Sequence, residues 1–185
     1  MYSENGFDEN WMERLRVRFM DEYKIDDFQI LCKWSNDPKI RPYAIPKFSI
    51  GVDEPFTPFE LMVSAMQNDD KRIYLVCDGE KPIGEFSIDM AFGRRVHETP
   101  DTAWISLVIG EENYRGKGVG RWIMTQIERE CAQLGAHAIE LGVFEYNKAA
   151  IRLYESMGYE IIAVIPEFVY FEGTWHADIR MLKRM

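Results

Sequence analysis

The spacing of apolar residues divides the chain into short segments of two kinds. Leu15-Arg16-Val17-Arg18-Phe19 alternates apolar and charged positions, the period of a half-buried strand. Asp26 or Asp27 then precedes Phe28, Ile30, Leu31 and Trp34, which predicts a capped helix ending before Asp37-Pro38. Five prolines between Pro38 and Pro58 break any regular pattern, so an irregular loop over a substrate cleft is expected there. Phe59, Met62, Val63 and Met66 return to helical spacing, with Thr57 as the cap and Pro58 at the first helical position. The runs Arg72–Cys77 and Lys81–Ile88 flank Asp78-Gly79 and read as a β-hairpin. Thr102–Ile109 is a further strand, rich in residues that favour sheets.

Beyond a glycine-rich turn, Val119, Ile123, Ile127 and Leu134 mark one face of a helix closed by Gly135. His137 to Val143 reads as a strand, and Asn147 opens a short helix that Gly158 ends. Glu160 to Val164 and Trp175 to Leu182 read as strands, with a turn near Phe171-Glu172-Gly173-Thr174. The order β-α-α-β-β-β-α-β-α-β-β predicts one α/β (α+β) domain on a mixed sheet. Residues 1–14 read as an N-terminal extension with at most an initial helical turn, and residues 15–185 as the domain.

Composition narrows the class without naming it. At 185 residues, 46% hydrophobic and 29% charged, the chain has the length and balance of one soluble globular domain. No run approaches the roughly 18 apolar residues of a membrane-spanning helix, and the acidic, polar N-terminus is not expected to act as a secretory signal. Cys32, Cys77 and Cys131 are odd in number and widely spaced, so neither a disulfide framework nor a metal site is expected, and the cytoplasm is the expected compartment. The formal net charge of −9 argues against nucleic acid as a ligand. It is compatible with a cationic acceptor or a basic protein tail, and equally with solubility alone.

The first chemical signal is the turn Arg115-Gly116-Lys117-Gly118-Val119-Gly120, placed between a strand and an amphipathic helix. The first N–H groups of a helix have no partner within it, and the helix dipole favours an anion there. Glycines let the backbone approach such a ligand, while Arg115, Lys117 and Arg121 add positive charge. Two familiar phosphate loops are excluded by spacing. A Walker-type loop fails because Gly118 follows Lys117 and Glu111 stands in place of the first glycine. The dinucleotide fingerprint fails because Arg121 replaces its third glycine.

The turn resembles the Gln/Arg-x-x-Gly-x-Gly/Ala motif of the GNAT superfamily of acetyltransferases. The segment from Val143 to Tyr159 is similar to that family's second signature, through Asn147, Ala150, Leu153, Tyr154, Gly158 and Tyr159. The resemblance implies a sheet of about six or seven strands, splayed at the cofactor site and flanked by helices. It implies acetyl-CoA as cofactor, with the pyrophosphate on residues 115–121 and the pantetheine arm along Leu107, Val108, Ile109 and Gly110. Asn147, Ala150 and Tyr154 would complete the cofactor site.

The expected reaction is direct attack by an amine in a ternary complex, with Tyr154 protonating the departing sulfur and a backbone N–H near Val108 stabilising the oxyanion. No cysteine falls in either motif, so a covalent route is not expected. The family's usual bases are missing: Trp104 stands at one such position, and Leu141-Gly142-Val143 replaces a Leu-Glu-Val at the other. Glu140, Glu85 and Asp89 are the candidate substitutes, beside water-mediated deprotonation. The segment Tyr170–Asp178 looks like the C-terminal hairpin of ribosomal-protein, polyamine and aminoglycoside acetyltransferases, which implies acceptor contacts from Trp175, His176 and Asp178. Trp34-Ser35-Asn36-Asp37-Pro38 resembles an early element of aminoglycoside 6′-type enzymes, making Trp34, with Trp104, a further acceptor candidate. His97 and His137 have no obvious partner. The expected activity is N-acetylation of a small cationic amine. The alternatives are a protein N-terminal or lysine acetyltransferase, and a non-catalytic acetyl-CoA sensor. The expected partners are a small-molecule amine or peptide acceptor, with no nucleic acid, no metal and no membrane; a homodimer is left open.

Overall fold

A computed structural model describes residues 10–51 and 54–185. Residues 1–9 of the expected extension therefore lie outside it, as do residues 52–53 of the proline-rich segment. A single 3-10 turn, Trp11–Arg14, precedes the first strand. The strands are β1 (Leu15–Phe19), β2 (Lys71–Asp78), β3 (Lys81–Asp89), β4 (Thr102–Ile109), β5 (Ala138–Phe144), β6 (Glu160–Phe171) and β7 (Thr174–Arg184). The helices are α1 (Ile25–Asn36), α2 (Arg41–Ala44), α3 (Pro58–Met66), α4 (Val119–Gln133) and α5 (Lys148–Ser156). They differ from the expected order by α2, a short helix inside the proline-rich segment, and a 3-10 turn, Glu112–Tyr114, also precedes α4. Among the described residues no helix is long and apolar enough to cross a membrane.

The starts of α3 and α5 follow from caps read in the sequence, but α1 does not: it begins at Ile25 after Lys24 with no side-chain cap, and Asp26 and Asp27 lie inside its first turn. Thr57 and Glu60 form a reciprocal capping box at the start of α3, with Pro58 in the first turn. Asn147 accepts a hydrogen bond from the Ala150 N–H to open α5. Gly135 and Gly158 follow α4 and α5 with φ of +81° and +86°, the left-handed conformation that ends a helix.

The seven strands form one mixed sheet in the order β1-β2-β3-β4-β5-β7-β6. Every neighbouring pair is antiparallel except β4 and β5. Those two strands pair only at Thr102–Ala138, Ala103–Ile139 and Trp104–Glu140. Beyond Trp104 they part, leaving Ile105–Ile109 with a partner on the β3 side alone. Two cores keep the gap open. One groups Phe86, Ile88, Ile105 and Ile139 with Ile123 and Ile127 of α4 and Ile151 of α5. The other groups Ile73, Leu75 and Cys77 with Phe28, Leu31 and Trp34 of α1 and Ala65 of α3. Burial of these apolar side chains, at roughly 25 cal/mol per Å2, stabilises both clusters.

Candidate active site

The parted ends of β4 and β5 open into a cleft of about 650 Å3. Ser106, Leu107 and Val108 of β4 face Leu141, Gly142 and Val143 of β5 across it, with Asn147 and Tyr154 beside them. The segment from Ile40 to Phe48 supplies a wall, as expected of the proline-rich loop. It is tied down where the Lys47 carbonyl accepts from Tyr170 N–H at 2.9 Å and the Pro42 carbonyl accepts from the Tyr146 hydroxyl.

The glycine turn lies at the N-terminus of α4. Gly116 and Gly118 adopt φ of +72° and +86°, a region that a side chain enters only with strain. Gly118 is the N-cap, and no side chain caps the helix there. The first N–H groups of α4 thus have no side-chain acceptor, unlike those of α3 and α5, and suit an anion. Together with the parted strands, this is a fit for a pyrophosphate joined to an extended arm. One expectation changes. Arg115 does not extend from the turn: its guanidinium donates to the carbonyls of Ile109 (3.0 Å) and Gly110 (2.9 Å), holding the end of β4 against the turn. Arg121 donates to Ser156 Oγ at 2.6 Å, tying α4 to α5.

Tyr154 is 9% exposed, and its hydroxyl makes no hydrogen bond to another described residue. Burial pushes it up to about 12, so it carries its proton throughout the neutral range. Ala150 packs partly buried against the α4-side core.

The three candidate bases separate cleanly. Glu85 of β3 lines the cleft, opposite Val108 in register, and accepts no hydrogen bond from a described residue. Desolvation holds its carboxyl above the usual glutamate range, against the opposing field of Lys71. Asp89 does not line the cleft: it is 5% exposed and accepts from Asn68 Nδ2 at 3.0 Å and Ala91 N–H at 2.9 Å. Glu140 is fully buried, away from the lining, and accepts from the N–H groups of Val96 and His97, each at 2.8 Å. Those bonds commit both carboxylates to the chain itself. Sequence periodicity on β5 and β3 does not reveal such long-range partners.

The acceptor candidates also divide. Trp104 lines the cleft with Phe92 stacked on it, centroids 4.5 Å apart, and the Arg180 guanidinium 4.7 Å from its ring centre. Asp178 lines it too, bound to Arg180 Nε at 2.6 Å. Burial raises the Asp178 carboxyl, opposed by Arg180. A Cβ on Gly142 would stand 3.0 Å from both the Asp178 carboxylate and the Trp104 ring. The space a side chain at position 142 would need is thus taken by the Trp104 ring and by a carboxylate delivered from β7. Trp34 reaches the lining but is 2% exposed, packed on Gly110 and donating to Glu111 at 3.1 Å. Trp175 and His176 do not line the cleft: Trp175 meets Tyr170 edge-to-face, and His176 pairs with Glu145 at 3.0 Å. Phe92, Arg94, Phe168 and Arg180 line it without having been expected. The alternation Asp178-Ile179-Arg180 places two charges on one strand face and is the signal that points to Arg180. None of the three cysteines lines the cleft, and burial raises Cys77 and takes Cys131 to about 12. Among the described residues no cluster of metal-ligating side chains occurs.

This geometry agrees with comparisons to known proteins. Residues 28–159 match the model of the acetyltransferase (GNAT) family, and the chain belongs to it. It is an N-acetyltransferase of the class that uses acetyl-CoA. YwnH of Bacillus subtilis, provisionally named a phosphinothricin acetyltransferase, is 27% identical over 133 residues, 71% of this chain and 79% of YwnH. The structure of yncA from Salmonella typhimurium with its cofactor acetyl-CoA superposes with a TM-score of 0.72 at 19% identity, over 92% of this chain and 94% of that one. Spermidine N-acetyltransferase from Vibrio cholerae, in complex with CoA and spermine, gives 0.74 at 21% identity, over 93% and 96%.

Proposed function

We propose that the chain acetylates the primary amine of a small molecule, with Tyr154 as proton donor and Glu85 as proton acceptor. The observation that carries this reading is the pairing of the two groups on one cleft: a buried phenol that keeps its proton and a carboxyl without a hydrogen-bond partner, at the gap between β4 and β5. Acetyl-CoA, when bound, supplies an acetyl thioester. The uncapped N-terminus of α4 with Gly116 and Gly118 would hold its pyrophosphate, and Leu107, Val108, Ile109 and Gly110 its arm. Glu85 takes a proton from the acceptor ammonium at its carboxylate oxygen, releasing the nitrogen lone pair for attack. The Tyr154 hydroxyl donates its proton towards the departing sulfur, and a backbone N–H near Val108 faces the charge that develops on the acetyl oxygen. The Ile40–Phe48 segment walls one part of the cleft, and a small acceptor is the reading we favour over an extended peptide.

The acceptor expected from the overall charge is a small cation such as a polyamine, which Glu85 and Asp178 would attract. One observation favours a second reading, an amine that also carries an acidic group. Lys71, Arg94 and Arg180 line the cleft against only Glu85 and Asp178, and the exposed Arg94 guanidinium makes no ion pair with a described residue. The acidic balance of the chain is therefore not concentrated at the cleft. Thiol release from acetyl-CoA, measured with spermidine, phosphinothricin and methionine sulfoximine, separates the readings by kcat/KM. Preference for spermidine supports the cationic acceptor, and preference for the other two the acidic one. Cofactor binding without release on any amine or peptide would overturn the enzymatic reading in favour of a sensor.

A further inference from the structure

Between β3 and β4 the chain runs through residues 90–101 without a helix or strand. This stretch carries Phe92 and Arg94 into the cleft. A loop of this length ordinarily loses definition, because each ordered residue costs about 1–2 kcal/mol of backbone entropy. Here it is gripped from beneath by charged side chains of the sheet. The Glu140 carboxylate, fully buried on β5, accepts from Val96 N–H through both oxygens, at 2.8 and 3.1 Å, and from His97 N–H at 2.8 Å. Arg180 of β7, itself 4% exposed, donates to the Arg94 carbonyl at 3.0 Å and lies 3.5 Å from Glu140. Three of the four residues from Arg94 to His97 thus have a backbone group bound by this buried pair. The fourth, Arg95, reaches back to the Met90 carbonyl at 3.0 Å and to the Thr102 carbonyl.

Burying a carboxylate is costly unless it is paired and hydrogen-bonded; Arg180 of β7 supplies the pairing, and the loop N–H groups of Val96 and His97 supply the hydrogen bonds. Apolar side chains of similar volume would fill the same space on β5 without that cost. The charge therefore specifies one loop conformation, and that conformation sets Phe92 on Trp104 and Arg94 at the cleft. We propose that Glu140 is a positioning residue for the acceptor: anchored by Arg180, it fixes the 90–101 loop and thereby determines which amine the cleft admits. Glu140 does not itself line the cleft and reaches it only through its neighbours, Arg180 and the 90–101 loop among them. The loop-fixing part stands apart from the acetyl-transfer reading; the acceptor part rests on it.

The test uses Glu140→Gln, which keeps the shape but removes the charge and one acceptor oxygen. Amide hydrogen exchange across residues 90–101 should accelerate at least tenfold, with exchange in the 115–121 turn unchanged. With the amine that gives the fastest turnover among spermidine, phosphinothricin and methionine sulfoximine, its KM should rise about tenfold, while KM for acetyl-CoA and kcat change less than twofold. In a Phe92→Ala background the same substitution should add less than twofold to that KM, because both act through one loop. If Glu140→Gln does not fold, Glu140→Asp replaces it, keeping a charge opposite Arg180 while shortening the reach to the loop, with the same split expected. Unchanged exchange in residues 90–101, a parallel rise in KM for acetyl-CoA, or full additivity with Phe92→Ala would each overturn the proposal. Were no amine turned over, accelerated exchange would uphold the loop-fixing role while the acetyl-transfer reading failed.

Discussion

The indole of Trp34 occupies the space that any side chain at Gly110 would need: a Cβ there would stand 2.1–2.4 Å from three ring atoms. This contact joins α1 to the end of β4, where Arg115 also binds the Gly110 carbonyl. Trp34 is therefore a structural support for the end of β4 as much as a wall of the cleft.

Gly110→Ala should force the indole or the strand to move. Overpacking of this kind costs about 1–3 kcal/mol. The urea midpoint is expected to fall accordingly, and KM for acetyl-CoA to rise. An unchanged midpoint would show that the indole yields without strain.

Glu85 gives a prediction in which stability and activity move in opposite directions. Its carboxyl is held above the ordinary value of 4.5, so the folded chain binds this proton more tightly than the unfolded chain. The ionised group therefore costs stability progressively as pH rises from about 4.5 through the raised value, and fully above it. Glu85→Gln should be more stable than wild type at pH 8 and no different at pH 3, by urea denaturation at both. Its kcat should fall about 100-fold, as for loss of a general base, and the acid limb of the wild-type rate should lie above the usual glutamate range. Equal stability at pH 8 would contradict the burial cost, and retained kcat the base role.

Gly118→Val places a branched side chain at φ +86°, where strain of about 1–3 kcal/mol is expected and the turn must relax. Calorimetric titration with CoA should show at least tenfold weaker binding. Unchanged affinity would remove the pyrophosphate from this turn.

The proposed cofactor half of the site could be drawn from the sequence because its residues are local. Arg115 to Gly120, and Asn147 to Tyr154, are each contiguous stretches whose glycines and caps have fixed conformational meanings. The proposed acceptor half draws on Glu85, Arg94, Trp104, Asp178 and Arg180, cleft-lining residues that the sheet and the 90–101 loop bring together. Strand alternation could not tell Glu85, open to the cleft, from Asp89 and Glu140, whose partners lie on other segments. The last hairpin also exceeds its expected bounds. Strand β6 runs on from Val164 to Phe171 through Pro166 and a positive φ at Glu167. The register shift falls between the Ile165–Asp178 and Val169–His176 pairs, and it separates His176 from the cleft that Asp178 lines.

The account turns on Tyr154 more than on any other side chain. The most direct measurement is kcat for Tyr154→Phe against wild type, with acetyl-CoA and a saturating primary amine, followed as thiol release from pH 6 to 10. The substitution keeps the ring that packs against the core and removes only the hydroxyl group. A fall of about 100-fold or more in kcat, with KM for acetyl-CoA within twofold of wild type, is the predicted result. Full activity across that pH range would contradict it.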